Sequence, residues 1–212
     1  MNISSKYRGF FTKDRRRSLY VALLILGLAL VFQYYAGEYS ARSATQSVSD
    51  LLLDNIPIVN LNPIIVEGAL CGILGTALLV FSKPKYILFT LKSLAVFLSL
   101  RAFFIAVTHL GIYPGQIVPG DGAFDQLYVA LGLETGFFFS AHTGLPFFMA
   151  LIFWDEKIWR YLFFILSGIF GAAVLFAHVH YSIDVFAAPF MAYSIFKLTE
   201  YLFSEDRKLI NI

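Results

Sequence analysis

Two long apolar runs near the C-terminus flank one polar stretch, Ala177-His178-Val179-His180-Tyr181-Ser182-Ile183-Asp184. Titratable side chains are costly at membrane depth and are normally present there for function. His180 and Asp184 stand four residues apart, so on a helix they would share one face. A carboxylate that holds one imidazole nitrogen leaves the other nitrogen basic, as a nucleophile or proton carrier requires. The stretch therefore predicts a reactive histidine at the edge of a membrane span.

The composition around this stretch is that of an integral membrane protein. Of the 212 residues, 58% are hydrophobic and only 14% are charged, whereas a soluble domain has about 25% charged residues. The single cysteine, Cys71, excludes an intramolecular disulfide. We therefore predict an all-α membrane protein that forms one bundle.

The apolar runs predict six transmembrane helices. A span needs about 20 mostly apolar residues, and continuous runs of this length favour helices over a barrel. The predicted spans are residues 18–36, 63–81, 86–110, 136–153, 159–177 and 183–203. We read residues 1–17 as a basic cytoplasmic arm, 18–203 as the catalytic domain and 204–212 as a cytoplasmic tail. The first apolar run is longer than a signal-peptide core of about 7–15 residues, which favours an uncleaved span.

Basic residues are concentrated in alternate connections, which predicts the orientation. Lys and Arg cluster in the N-terminal arm and at residues 83–85, 157–160 and 207–208, whereas the other three connections contain only Arg42. Lys and Arg favour the cytoplasmic side. We expect a multi-pass protein of the plasma or inner membrane, with both termini cytoplasmic. Basic flanks are ordinary in such proteins, so we expect no nucleic-acid partner, and nothing in the sequence indicates an oligomeric state.

The three remaining connections, residues 37–62, 111–135 and 178–182, are predicted to be exoplasmic. The first contains the apolar patch Leu51-Leu52-Leu53, which fits either an interfacial helix or a packed loop. The second is rich in glycine, proline and acidic residues, which is typical of a lid or a headgroup-binding loop.

A second polar stretch, Ser140-Ala141-His142-Thr143, begins the fourth apolar run. In the first turn of a helix, His142 would lie among free N–H groups that attract phosphate. Ser140 and Thr143 could add hydroxyl donors. Two histidines on one side of the membrane allow one to attack phosphorus and the other to protonate the leaving oxygen. The alternative is that each histidine is an ordinary interfacial hydrogen-bonding residue.

At these two stretches the sequence resembles the type 2 phosphatidic acid phosphatase superfamily, and more narrowly its sphingomyelin synthase branch. That branch shows Ser-Gly-His-Thr and, later, Ala-His-x-His-Tyr-x-Ile-Asp-Val, each next to a span. The corresponding residues here are 140–143 and 177–185, and the stretch from Arg101 to Pro114-Gly115 is also similar. The likeness covers about half the chain, residues 100–203.

The resemblance implies a six-helix bundle with its site near the membrane surface. It also implies that His180 forms a phosphohistidine, that Asp184 orients it, and that His142 acts first as general acid and then as base. The implied partners are lipids: a glycerophospholipid donor and an acceptor alcohol such as ceramide or diacylglycerol. No cofactor and no metal are expected, because the two histidines of 178–180 lack nearby ligands beyond Asp184.

The sequence departs from the family pattern in ways that bear on the substrate. Ala141 replaces the motif glycine. The lipid phosphatases carry a lysine–arginine motif upstream and an arginine six residues before the nucleophile, whereas Val174 stands at that position here. Arg101 is the only basic residue near the predicted outer face of spans three to six. A phosphomonoester benefits from several cationic contacts, so the missing cations favour a phosphodiester.

Further substrate-binding candidates lie around the two stretches. His178 could contact phosphate, and Tyr113 and Tyr181 could line an ammonium site together with the acidic Glu134. The alternative for the aromatic residues is an interfacial belt. The favoured function is therefore phospho-headgroup transfer between lipids. The alternatives are a lipid phosphatase or phospholipase-C-like hydrolase, and a non-catalytic transport or structural protein.

Overall fold

The computed structural model describes Tyr7, residues 10–133 and residues 136–210. These residues form helices and connections without strands, which confirms the all-α class. The eight helices are α1 (Lys13–Ser43), α2 (Asn62–Ser82), α3 (Pro84–Val107), α4 (Ala123–Ala130), α5 (Ala141–Ile152), α6 (Lys157–Phe176), α7 (Ser182–Leu202) and α8 (Ser204–Ile210).

Four helices, α1, α2, α3 and α6, are long and apolar enough to cross a membrane. Helix α7 has 21 residues, but Asp184, Lys197 and Glu200 lower its hydropathy. Helix α5 has 12 residues, or about 18 Å at the α-helical rise, against about 30 Å for a bilayer core. The chain is thus a helical membrane protein, and the count of six spans stays a prediction.

The helix expected from residue 136 begins instead at Ala141. Phe138 has a φ of 91°, which a bulky residue rarely adopts and which a right-handed helix does not allow. The side chain of Ser140 then accepts the N–H of Thr143 at 3.4 Å and caps α5. The late start places His142 in the first turn of α5.

Helix α1 begins earlier than its predicted span and runs parallel to α3. Thr12 caps it by accepting the N–H of Arg15, so the end of the basic arm belongs to the helix. At one end of the pair, Lys92 donates to the hydroxyl of Ser18 at 2.8 Å. At the other end, Ser40 donates to the carbonyl of Thr108 at 3.1 Å. The two ends of the bundle are therefore distinct.

Most of the basic connections lie at the end of the bundle that contains Ser18. Lys83 pairs with Glu156 at 2.5 Å, and Lys92 pairs with Asp206 of α8 at 2.5 Å. The opposite end contains the chain before α2, the chain between α3 and α5, and the start of α7. We call it the site end.

Aromatic packing joins α3, α5 and α7 in the core. Phe97 lies 5.1 Å from Phe148 between ring centroids, and Phe148 lies 6.3 Å from Phe196. All three side chains are buried. Helix α6 joins this group because its Ser167 donates to the carbonyl of Thr143 at 2.8 Å. This hydrogen bond fixes α6 beside the first turn of α5.

The connection after α1 is a packed loop rather than an interfacial helix. It contains one turn at residues 51–55. Leu53 is buried against Tyr113 and Tyr181, while Leu51 is exposed. Its apolar patch therefore covers the site end of the bundle, because one leucine anchors the loop to the aromatic residues beneath it.

Candidate active site

The two polar stretches meet at Asp184, which is 1% exposed. Its Oδ2 lies 3.1 Å from Nδ1 of His180. Its Oδ1 accepts the N–H of Phe138 at 3.1 Å, and its main-chain carbonyl accepts the N–H of Ser140 at 2.9 Å. One residue thus holds the histidine of the second stretch and the backbone that leads into the first.

His180 reaches Asp184 from outside the helix, which corrects the expectation of a shared helix face. Tyr181 is extended (φ −63°, ψ 153°) and stands at the N-cap of α7, so His180 precedes the helix and Asp184 lies in its first turn. A carboxylate in the first turn is favoured by the helix dipole. In the described part of the chain, Nε2 of His180 makes no hydrogen bond, so this nitrogen is available for chemistry.

The second imidazole lies next to the first. The ring centroids of His142 and His180 are 6.1 Å apart, so one phosphoryl group could contact both rings. Nε2 of His142 shares a 2.8 Å hydrogen bond with the hydroxyl of Tyr128. Its Nδ1 is buried and has no partner among the residues that the structure describes.

Arg101 is buried behind this pair and is held by the backbone. Its Nε donates to the carbonyl of Phe139 at 3.4 Å, and its Nη2 donates to the carbonyl of Gly136 at 3.3 Å. Both carbonyls belong to the segment that turns into α5. The chain contains no other lysine or arginine between residues 102 and 156. Arg101 therefore supports the segment that carries His142 and is the local source of positive charge.

His178 occupies a strained position at the end of α6. Its N–H donates to the carbonyl of Leu175 at 3.0 Å, and the N–H of Val179 donates to that of Val174 at 2.9 Å. This is the Schellman pattern, in which the left-handed residue is usually glycine, yet His178 has a φ of 54°. Left-handed backbone costs a non-glycine residue roughly 1–2 kcal/mol. Strain of this kind clusters at functional sites.

The side chain of His178 is also unusual in its surroundings. It is 3% exposed, and neither ring nitrogen has a hydrogen-bond partner within the described residues. Its ring packs edge-on against Tyr113, with centroids 5.3 Å apart. Buried polar groups are normally paired, so an unpaired imidazole beside His180 is suited to contact with a substrate oxygen.

The hydroxyls of Tyr113 and Tyr181 are engaged in holding loops. Tyr181 donates to the carbonyl of Gly111 at 2.8 Å and accepts the N–H of Val48 at 3.3 Å. Tyr113 donates to Asp54. That hydrogen bond, together with burial, raises the pKa of Tyr113 to about 12, so the phenol stays protonated. The rings of both tyrosines remain beside the histidines, whereas Glu134 lies outside the described residues.

Ser140 and Thr143 differ in what they can offer a substrate. Ser140 is fully buried at the junction of the two stretches, where its Oγ caps α5. Thr143 faces α6, because a Cβ added to Gly171 would lie 3.2 Å from its Oγ1. Ser140 therefore lies at the junction of the two polar stretches, whereas the Thr143 hydroxyl lies beside α6.

Asp50 is a site residue that the sequence reasoning missed. Its carboxylate accepts the N–H of Ser182 at 2.7 Å, and those of Leu52 and Leu53 at 3.0 and 3.2 Å. Burial raises the pKa of Asp50, but these hydrogen bonds outweigh it and hold the pKa below its ordinary value. Tyr181 provides no side-chain cap for α7. The absence of a capping side chain there was the signal for an external carboxylate.

A cavity of about 230 Å³ adjoins the histidines. Tyr128, which binds His142, and Phe137, whose ring centroid lies 6.2 Å from that of His180, are part of its wall. The remaining wall comes from the end of α1, the start of α2, the chain at 110–119 and Val179. Among the described residues, the lining is mostly apolar and contains no charged side chain.

Comparison with known proteins identified no relative of this chain. No family model, curated protein or solved structure matches the chain. The resemblance therefore rests on the two motifs and the stretch from Arg101 to Pro114-Gly115, and membership of the superfamily stays a prediction.

Proposed function

We propose that this protein transfers a phospho-headgroup from a glycerophospholipid to a lipid alcohol such as ceramide or diacylglycerol, in the manner of the sphingomyelin synthase branch. The observation that carries the proposal is the junction at Asp184. There one carboxylate holds Nδ1 of His180 at 3.1 Å and binds the backbone that leads to His142. This is the arrangement that an activated nucleophile and a neighbouring acid–base group require.

The first half-reaction forms a phosphohistidine. Nε2 of His180 attacks phosphorus while Asp184 holds Nδ1 and stabilises the positive charge that develops on the ring. The bond between phosphorus and the lipid oxygen breaks, and His142 gives a proton to that oxygen. The N–P bond that forms carries the whole headgroup.

The second half-reaction regenerates the enzyme. His142, now neutral, takes the proton of the acceptor hydroxyl, whose oxygen attacks phosphorus and breaks the N–P bond. A phosphodiester has a single negative charge. The scarcity of cations around Arg101 supports such a donor over a phosphomonoester, which gains from several.

We further propose six spans, with the segment of α5 and helix α7 as the fourth and sixth, and an exoplasmic site. The support is the separation of the two bundle ends. The basic connections lie with the Lys83–Glu156 pair, and both histidines lie at the site end. Because Lys and Arg favour the cytoplasm, both termini are then cytoplasmic.

The test is turnover by the purified protein in defined lipid. Phosphatidylcholine, phosphatidylethanolamine and phosphatidic acid are each supplied with and without ceramide or diacylglycerol. We expect a new phospholipid that appears only when donor and acceptor are both present. His180→Ala should abolish it, and His109→Ala is the matched control because His109 lies outside the site, packed against Tyr39.

Each alternative gives a different result. Release of phosphate from phosphatidic acid, with no acceptor-dependent product, would replace transfer by the phosphatase reaction. Release of a phospho-headgroup to water would favour the hydrolase. The absence of any product and of any covalent phosphoenzyme would leave the non-catalytic alternative. Retention of more than about a tenth of the rate by folded His180→Ala protein would refute the nucleophile assignment.

A further inference from the structure

Helix α4 is an exposed helix anchored by one side chain. Of its eight residues only Tyr128 is buried, at 1% exposure. The helix begins after Gly122, where Asp125 accepts hydrogen bonds from the side chain of Asn62 at 3.3 Å and the N–H of Gly120 at 2.9 Å. It ends before Gly132, whose φ is 64°. Tyr128 is therefore the side chain of α4 that lies in the protein interior.

The hydroxyl of Tyr128 contacts His142. The Tyr128 hydroxyl and Nε2 of His142 are 2.8 Å apart, and the two rings are tilted by 30° with centroids 6.0 Å apart. A hydrogen bond at one imidazole nitrogen restricts the rotation of the ring and occupies that nitrogen. Tyr128 thus orients His142 and occupies its Nε2.

The two histidines have partners of different chemistry. His180 is held by the charged carboxylate of Asp184, whose Oδ2 lies 3.1 Å from Nδ1. His142 is held by a neutral hydroxyl. A hydroxyl can accept a hydrogen bond from a protonated ring nitrogen and donate one to a deprotonated nitrogen, so Tyr128 can hold His142 throughout a cycle in which the ring releases a proton and recovers it.

We propose that Tyr128 is a positioning residue for His142 and so sets the efficiency of proton transfer at this site. This inference rests on the proposed function. The alternative is that Tyr128 only anchors α4 to the bundle. The variant Tyr128→Phe distinguishes the two roles, because it keeps the ring that anchors α4 and removes only the hydroxyl that contacts His142.

The kinetic test compares Tyr128→Phe with Tyr35→Phe, which removes a hydroxyl from a tyrosine that is 66% exposed on α1. Both are assayed as full-length protein with fluorescent phosphatidylcholine as donor and ceramide as acceptor. For Tyr128→Phe we expect kcat to fall about tenfold, the kinetic equivalent of one hydrogen bond. KM should stay within about twofold, and one limb of the pH–rate profile should move. Tyr35→Phe should match the wild type in all three.

A second readout is independent of turnover. Diethyl pyrocarbonate acylates unprotonated imidazole nitrogens, and peptide mass spectrometry reports each histidine separately. Removal of the hydroxyl frees Nε2 of His142, so modification of His142 should accelerate several-fold in Tyr128→Phe while that of His109 stays constant. The modification rate can be measured even if the wild type turns over none of the lipids. Such a lack of turnover would overturn the proposed function but not the role of Tyr128.

Faster modification of His142 in Tyr128→Phe supports the proposal, and a displaced pH profile supports its catalytic consequence. Unchanged modification overturns it, because the hydroxyl then does not occupy Nε2. A fall in kcat with an unchanged pH profile and unchanged modification also overturns it, since that pattern is the one a purely structural anchor gives.

Discussion

Replacing Asp184 by asparagine separates the orientation of His180 from the stability of the fold. The carboxamide oxygen can still accept the N–H of Phe138, which the carboxylate accepts at 3.1 Å. The carboxamide nitrogen, however, can only donate to Nδ1 of His180. Neutral His180 is then protonated at Nε2, the nitrogen that we propose attacks phosphorus, so we expect the variant to fold with that nitrogen blocked.

The magnitudes follow from the contacts that each variant keeps. For Asp184→Asn we expect turnover to fall on the order of 10³–10⁴-fold, as it does when the orienting carboxylate of a serine-protease triad is replaced. Its free energy of unfolding should fall by only about 1 kcal/mol. Asp184→Ala leaves Nδ1 of His180 and the N–H of Phe138 buried without partners, which costs roughly 2–6 kcal/mol in total.

The assay combines turnover, trapping of the phosphoenzyme and thermal unfolding in detergent. Glu205→Gln is the control, because it makes the same chemical change at a side chain that is 84% exposed. Asp184→Asn should lose the phosphoenzyme and keep a near-native melting temperature. Asp184→Asn with more than about a tenth of wild-type turnover would refute the tautomer argument. An equal loss of stability in both Asp184 variants would refute the assignment of the two hydrogen bonds.

Two further predictions concern the site end and its orientation. Because the pKa of Asp50 is lowered, its stabilising effect is present above the unfolded-state pKa of about 4 and is lost as the pH falls further. Asp50→Asn should therefore lower the unfolding temperature at neutral pH and flatten its decline in acid; an acid decline as steep as that of the wild type would exclude this role. In a Cys71→Ala background, Ser49→Cys should react in intact cells with a membrane-impermeant thiol reagent and Ser204→Cys should not. The reverse pattern would invert the topology.

The sequence predicted best what depends on neighbours along the chain. The apolar run at 63–81 corresponds to helix Asn62–Ser82, and the run at 183–203 to Ser182–Leu202. The spacing of His180 and Asp184 indicated a contact that the structure contains at 3.1 Å, although His180 makes this contact from before α7 and not from a shared helix face. Such features depend on hydrophobic periodicity and short-range geometry, which one sequence carries in full.

What the sequence did not predict depends on contacts between distant segments. Asp50 caps a helix 132 residues further along the chain, and no local pattern specifies that pairing. The contact between Tyr128 and His142 was not predicted, because α4 is short and lies within a stretch of loop-like composition. The start of α5 was placed too early, since the apolar letters of Phe138 and Phe139 hide a backbone with positive φ.

The placement of the site at helix ends also bears on the charge of its substrate. Arg101 already donates to the carbonyls of Gly136 and Phe139, so part of its hydrogen-bonding capacity is used by the protein. The first turn of α5, which carries His142, supplies backbone N–H groups and a positive end of the helix dipole, equivalent to about half a charge. One partly engaged guanidinium and one helix end match a single negative charge better than a dianion. We therefore expect the proposed phosphate site to prefer a phosphodiester, and a preference for phosphatidic acid over phosphatidylcholine would contradict this expectation.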